Sequence, residues 1–436
     1  MLFTRGPSGK RPAPTPLLIA GRLALMVALS GILTLTVGAS AEAVSIGRSE
    51  WPLQLLQAAK AWHVTQGEGV TVAVIDSGVD ATHPDLKGQV LSGAGFIGDP
   101  RDNGQTDISD DSHGTAIAGI IAGTGRANDG NGMTGLAPKS KVLPVRVSTN
   151  EAATPAAIAE GIKYAADHHA QVINISTGMT TPDPLLRTAV DYALARDAVI
   201  VASAGNQGQN GDPAMYPAAF PGVIDVTGTD SSGHFWPVSE SGPASTLAAP
   251  ATDIYSTNNR GQYVKADGTS YAAAYVSAAA ALVRSADPRL TAGQSIRRLI
   301  STARRPGGSG RDDQYGYGLI DPLAALRAPT SVSGNATNPL LSAVPAGTHH
   351  TDTRAGWTTA LGLGGAAALA VASAGVVVRH RRGGSAKESG PRSAPLGRPR
   401  PAGKPGKRKR KSRAQRRSTP DRTDGRPPRT NSGAPR

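Results

Sequence analysis

The chain has 436 residues, no cysteine and a formal net charge of +14, and the positive charge sits at one end: residues 379–436 hold 20 Lys+Arg against 3 Asp+Glu, whereas residues 44–378 are net −6. Without cysteine there is no disulfide scaffold, so a folded middle of this length must be held by its own apolar core. The acidic balance of that middle argues against a basic nucleic-acid surface on it, and nucleic acid is not expected as a partner.

At the N-terminus, Arg5, Lys10, Arg11 and Arg22 precede an apolar run from Leu23 to Val37, and "ASAEA" then offers small-residue cleavage sites after Ala41 or Ala43. Residues 1–43 read as a secretory signal peptide. The expected globular domain is 44–328. From Val70 onward, the apolar runs "VTVAVI", "KVLPVRV", "QVINIS" and "AVIVAS" are interleaved with "TPAAIAEGIKYAADHH" and "PLLRTAVDYALARD", whose apolar residues recur every three or four positions. Strands that are apolar throughout, alternating with amphipathic helices, predict an α/β fold with a mostly parallel sheet covered by helices on both faces. Functional residues in such sheets gather at the carboxyl ends of the strands.

Residues 329–356 are rich in Pro, Ser, Thr, Gly and Asn and read as a flexible linker. The segment 357–378, "WTTALGLGGAAALAVASAGVVV", carries no charge and is followed by "RHRR". As a helix it would span about 33 Å, enough for a bilayer core. One C-terminal transmembrane helix is therefore expected, with the domain outside and the basic tail 379–436 disordered in the cytoplasm. The run "KRKRKSRAQRR" suits anionic lipid.

Four polar residues share one placement within the domain. Asp76 follows the strand "VTVAVI", Asn206 follows "AVIVAS", and His113 and Ser270 each open a run of small and apolar residues that reads as a buried helix. Singly, each has an ordinary explanation as a turn former, a helix-start residue or an N-cap. Together they supply what acyl transfer needs. Ser270 would be the nucleophile, His113 the base that takes its proton, and Asp76 the carboxylate that fixes the imidazole tautomer. Asn206 would donate to the oxyanion beside the backbone N–H of Ser270 at the positive end of its helix.

The segments "VAVIDSGVDATHPDL", "HGTAIAG", "VINIS", "SAGNQG" and "DGTSYAAA", in that order, resemble the successive motifs of the subtilisin-like serine proteases. The resemblance covers about residues 50 to 326 and implies the subtilisin-like three-layer fold and a peptide or protein substrate. It also implies that Ser176, Thr177 and Gly178, with Ser203, Ala204 and Gly205, line the primary specificity pocket. The order of signal peptide, peptidase, linker and membrane helix is most similar to the mycosins, membrane-bound subtilases associated with type VII secretion, whose membrane complex would then be a partner. A rival expectation is an idle subtilase fold that stabilises such a complex.

Some positions depart from the family pattern: Ala274 stands where a proline is usual, Tyr271 where methionine or phenylalanine is commoner, and Thr177 where leucine is. Asp76 comes only 33 positions after Ala43, which leaves no room for the long inhibitory prodomain of secreted subtilisins. The loop "RANDGNGMTG", with Asp85 upstream, offers oxygen ligands near where some subtilisins bind calcium, but such loops ordinarily serve as turns. Neither a metal nor a cofactor is expected.

Overall fold

The computed structural model describes residues 50–342 apart from 100, 150–152, 307, 309, 330 and 332–333. The expected signal peptide, the membrane segment 357–378 and the basic tail lie outside the described residues, among which no helix is long and apolar enough to cross a membrane.

A seven-stranded sheet forms the centre: β1 Thr71–Asp76, β2 Ala94–Gly95, β3 Lys141–Arg146, β4 Val172–Ile175, β5 Val199–Ser203, β6 Ile224–Thr229 and β7 Ser245–Pro250. All neighbours are parallel, in the order β2-β3-β1-β4-β5-β6-β7. An antiparallel hairpin, β8 Ile254–Thr257 and β9 Tyr263–Ala266, follows. The helices that matter here are α1 His113–Ala122, α2 Pro155–Asp167, α3 Pro184–Leu194, α4 Thr269–Ala286, α5 Ala292–Thr302 and α6 Pro322–Arg327.

The continuous apolar runs have a direct cause. Successive side chains of a strand point to opposite faces, and here both faces are covered. Val72 and Val74 of β1 belong to the core shared with α1, α4, α5 and α6. Ala73 and Ile75 belong to a second core shared with α2 and α3. The sequence patterns also start the helices where expected. Thr154 caps α2 by accepting from the Ala157 N–H at 3.2 Å, and Asp183 caps α3 by accepting from Leu185 and Leu186 at 2.8 and 3.1 Å. A proline follows each cap at the first helical position, where its missing N–H costs nothing.

Helix α4 is buried from Thr269 to Arg284. It lies against β4, β5, β6 and β7 on one side and α1 on the other. The polar side chain midway along it is satisfied, because Ser277 Oγ donates to Asn174 Oδ1 of β4 at 2.8 Å. Because β1 is flanked by β3 on one side and β4 on the other, the chain order reverses there, and the crevice opens at the carboxyl edge. Asp76, residues 176–178 and residues 203–205 all stand on that edge.

Residues 334–342, read from composition as linker, lie against the domain. Asn338 Nδ2 donates to the Gly222 carbonyl at 2.8 Å, Gly222 N–H donates to Leu340 O at 3.0 Å, and Arg297 bonds the Thr337 carbonyl. Polar composition hid this because most of the contacts are made by backbone groups and the amides of Asn335 and Asn338, and the leucine that packs on the core, Leu340, belongs to no apolar periodicity.

The two-core arrangement predicts where stability resides. Ile120→Ala, in a side chain with no exposed surface, should destabilise the domain by about 2–5 kcal/mol, whereas Leu185→Ala, at a residue 59% exposed, should change stability by no more than about 0.5 kcal/mol. Denaturant midpoints of the two variants check this.

Candidate active site

Asp76 is the last residue of β1 and His113 the first of α1. The His113 Nδ1 lies 2.9 Å from each Asp76 oxygen, so Nδ1 carries the proton and Nε2 is left as the ring's acceptor. Asp76 also accepts from the Ser77 N–H at 2.8 Å. Burial works against charge on the imidazole, but the Asp76 carboxylate, its hydrogen bond and the charges of Asp111 and Asp107 outweigh it, so the His113 pKa is pushed up to about 9.

A network that sequence reasoning did not single out holds this pair. Asp107, 6% exposed, accepts from Ser77 Oγ, from the N–H and Oγ of Ser109, and from the N–H and Oγ1 of Thr115, at 2.6 to 3.0 Å. Burial raises its carboxyl pKa against those hydrogen bonds. Ser77 Oγ in turn accepts the Gly114 N–H at 3.0 Å, joining the end of β1 to the start of α1. Gly114 has to be glycine here, since a β-carbon would collide with the Gly78 carbonyl. Asn259, in the β8–β9 turn, donates to the carbonyls of Asp107 and Ser109 and accepts from Ser112 Oγ. The signal that could have found these residues was their crowding within "IDSG" and "DISDDSHGT".

Ser270 is the second residue of α4, and Gly268 occupies the N-cap position. The ordinary explanation of this serine, a cap, is thereby removed. Its own N–H is among the first four of the helix, which no intrahelical carbonyl accepts. Asn206 Oδ1 accepts from the N–H and Oγ1 of Thr269 at 2.9 and 3.0 Å, so the amide is oriented with Nδ2 as its free donor end. Thr269 Oγ1 also accepts from the Gly205 N–H at 3.1 Å. Ser270, His113 and Asn206 line one cleft of about 430 Å³, together with Asp111 and Tyr271. The structure therefore brings together three of the predicted residues at the cleft, with Asp76 behind His113.

The six expected pocket residues do not line that cleft. Residues 176–178 and 203–205 prolong the adjacent strands β4 and β5, and Asn206 connects the second of these segments to the cleft.

The Asp85 region has the wrong chemistry for a cation. Its carboxylate accepts from the Ala127 N–H at 2.8 Å, the Met133 N–H at 2.9 Å and the Tyr263 hydroxyl at 2.8 Å. Three hydrogen donors take most of the carboxylate's lone-pair sites, so it serves as a hydrogen-bond acceptor for its own loops. Among the described residues no group of three or more His, Asp or Glu is arranged to hold a metal.

Residues 67–318 match the model of the Subtilase family. The chain is 40% identical to thermitase from Thermoactinomyces vulgaris over 233 residues, 53% of this chain and 81% of that protein. It also superposes on MycP1 from Mycobacterium smegmatis with a TM-score of 0.57 and 34% identity, covering 64% of this chain and 85% of that one. A second structure, described as a serine protease MycP1 that is an essential component of the type VII (ESX-1) secretion system, superposes with a TM-score of 0.57 and 35% identity over 64% of this chain and 88% of that one.

The charges around His113 give a test of the site's electrostatics. Asp111 raises the imidazole pKa, so Asp111→Asn, which keeps an oxygen to accept the His113 N–H, should move the ring's titration midpoint below about 9. A drop of roughly half to one pH unit is the expected size for one nearby charge. NMR titration of the His113 ring in the two proteins measures it.

Proposed function

Since this chain belongs to the subtilase family, we propose that it is a membrane-anchored extracytoplasmic serine endopeptidase working through Asp76, His113 and Ser270. The observation that carries the reading is the pairing of a buried Asp76 with His113 Nδ1, across a cleft shared with a serine in the first turn of a buried helix. In this mechanism His113 Nε2 takes the Ser270 Oγ proton as Oγ attacks the scissile carbonyl. Asn206 Nδ2 and the Ser270 N–H hold the oxyanion of the tetrahedral intermediate. The imidazolium then returns its proton to the leaving amine, the C–N bond breaks, and water repeats the sequence on the acyl-enzyme. Only neutral His113 can act as base, so the raised pKa means that turnover climbs with pH toward about 9.

The setting follows from charge and from the relatives. Twenty basic against three acidic residues beyond Val378, next to an uncharged 22-residue segment, favour a tail held on the cytoplasmic side and in contact with anionic lipid. Likeness to MycP1, a component of a type VII secretion system, supports a place beside such a membrane complex. An idle scaffold on the same fold is the alternative that the first experiment below would reveal.

A fluorophosphonate probe should label the full-length protein at Ser270, and Ser270→Ala should lose both labelling and peptidase activity while keeping the same thermal unfolding. Labelling at another residue, or activity that survives in Ser270→Ala, removes this serine as nucleophile. Protease added to intact protoplasts should digest the domain and spare an epitope placed after Arg436. The opposite pattern would invert the orientation.

A further inference from the structure

Glu240 lies in the turn before β7, and its backbone N–H donates to the Gly205 carbonyl at 2.9 Å. The residue is 2% exposed, and neither carboxylate oxygen has a hydrogen-bond partner among the described residues. A buried carboxylate without a partner is unfavourable, and each one in a folded protein calls for an explanation. Among the described residues no lysine or arginine side chain bonds Glu240. Burial pushes its carboxyl up to about 7; Asp212 and Asp225 add to the rise, and the backbone N–H of Gln207, near the carboxylate but outside hydrogen-bonding geometry, only moderates it. Arg311, a nearby cation, directs its donors to the carbonyls of Gly242 and Ser245 and to Asp313.

The position of this carboxylate relative to the site is fixed by two glycines. A β-carbon on Gly205 would collide with Glu240 Oε2 and stand 2.7 Å from Met215 Cγ, while one on Gly178 would stand 3.6 Å from Met215 Cε. Met215 thus spans the two strips 176–178 and 203–205, with Glu240 beside it. Gly205 precedes Asn206. The P1 side chain leaves from the carbon bonded to the attacked carbonyl, so if Asn206 holds the oxyanion, that side chain starts within reach of Gly205.

We propose that Glu240, beside the glycine strips, is the specificity-determining residue for the P1 side chain and receives the cation of a lysine or arginine there. The inference rests on the triad reading above, because that reading places the attacked carbonyl at Asn206. The substrate's cation supplies the donors that Glu240 lacks, and a guanidinium fork matches both oxygens. The aliphatic stem of the P1 side chain packs along the glycine strips, and Met215, unbranched and flexible, moves to admit it.

The test uses the full-length protein in detergent, with rates expressed per serine titrated by fluorophosphonate, so that misfolded protein drops out. Peptides differ only at P1, arginine against its neutral isostere citrulline and lysine against norleucine. Wild type should favour arginine over citrulline by roughly 10²-fold in kcat/KM, and Glu240→Gln should bring that ratio close to one. Met215→Lys, which places a resident ammonium beside Glu240, should reduce the ratio in the same direction and serves if Glu240→Gln does not fold. A wild-type ratio near one, or a ratio that survives both substitutions, overturns the inference while leaving a labelled Ser270 in place. A wild type that neither labels nor cleaves overturns the triad reading, and this inference with it.

Discussion

Helix α4 is buried from Thr269 to Arg284, and this is possible only because most of its side chains are alanine or similarly small. A narrow helix lets four strands and α1 close around it at the packing density of a protein interior, where larger side chains would hold them apart. The consequence is positional. Ser270 moves only if the helix moves, and Thr269 beside it is bonded to Asn206. His113 opens α1, which packs directly on α4, so two buried helices in one layer set the relation between serine and imidazole.

In a chain without cysteine, buried carboxylates tie the loops together. Asp107 gathers donors from Ser77, Ser109 and Thr115, and Asp85 gathers donors from Ala127, Met133 and Tyr263. Hydrogen bonds to a charged acceptor are worth more than neutral ones, but desolvation offsets much of that gain, so the benefit is mainly geometric. Each carboxylate draws several loop amides to a common point, and that fixes how the strand ends meet the helix starts. Ser77 shows the result most directly, since its hydroxyl links Asp107 to the first turn of α1.

Negative charge lies on both sides of Ser270, in different states. On the His113 side, Asp76, Asp107 and Asp111 face a resident imidazole, and their field raises its pKa. On the Gly205 side, Glu240, Asp212 and Asp225 face one another, and the pKa values of Glu240 and Asp225 are raised by burial first of all. The first cluster already has its cation within the protein. In the second, burial shifts Glu240 and Asp225 toward their protonated forms, Asp225 against the opposing charge of Arg311.

By itself, the sequence determined the elements and the chemistry that each could offer. Apolar runs such as "VTVAVI" mark strands buried on both faces, because burial on two sides removes the need for polar alternation, and the apolar spacing of three and four in "TPAAIAEGIKYAADHH" and "PLLRTAVDYALARD" marks helices buried along one face. Asp76, His113, Asn206 and Ser270 were legible because each sits where a strand or helix ends, which is a local property. The tertiary structure alone decided what depends on which ends meet. Asp76 and His113, 37 positions apart, close into a hydrogen bond only through the parallel crossover, and Asn259 reaches the Asp107 loop only because the β8–β9 turn folds over it. Glu240 reads in sequence as one more charged turn residue. Its burial against Gly205 comes from the pairing of β5, β6 and β7, and pairing is a contact between distant segments that no local pattern of residues encodes.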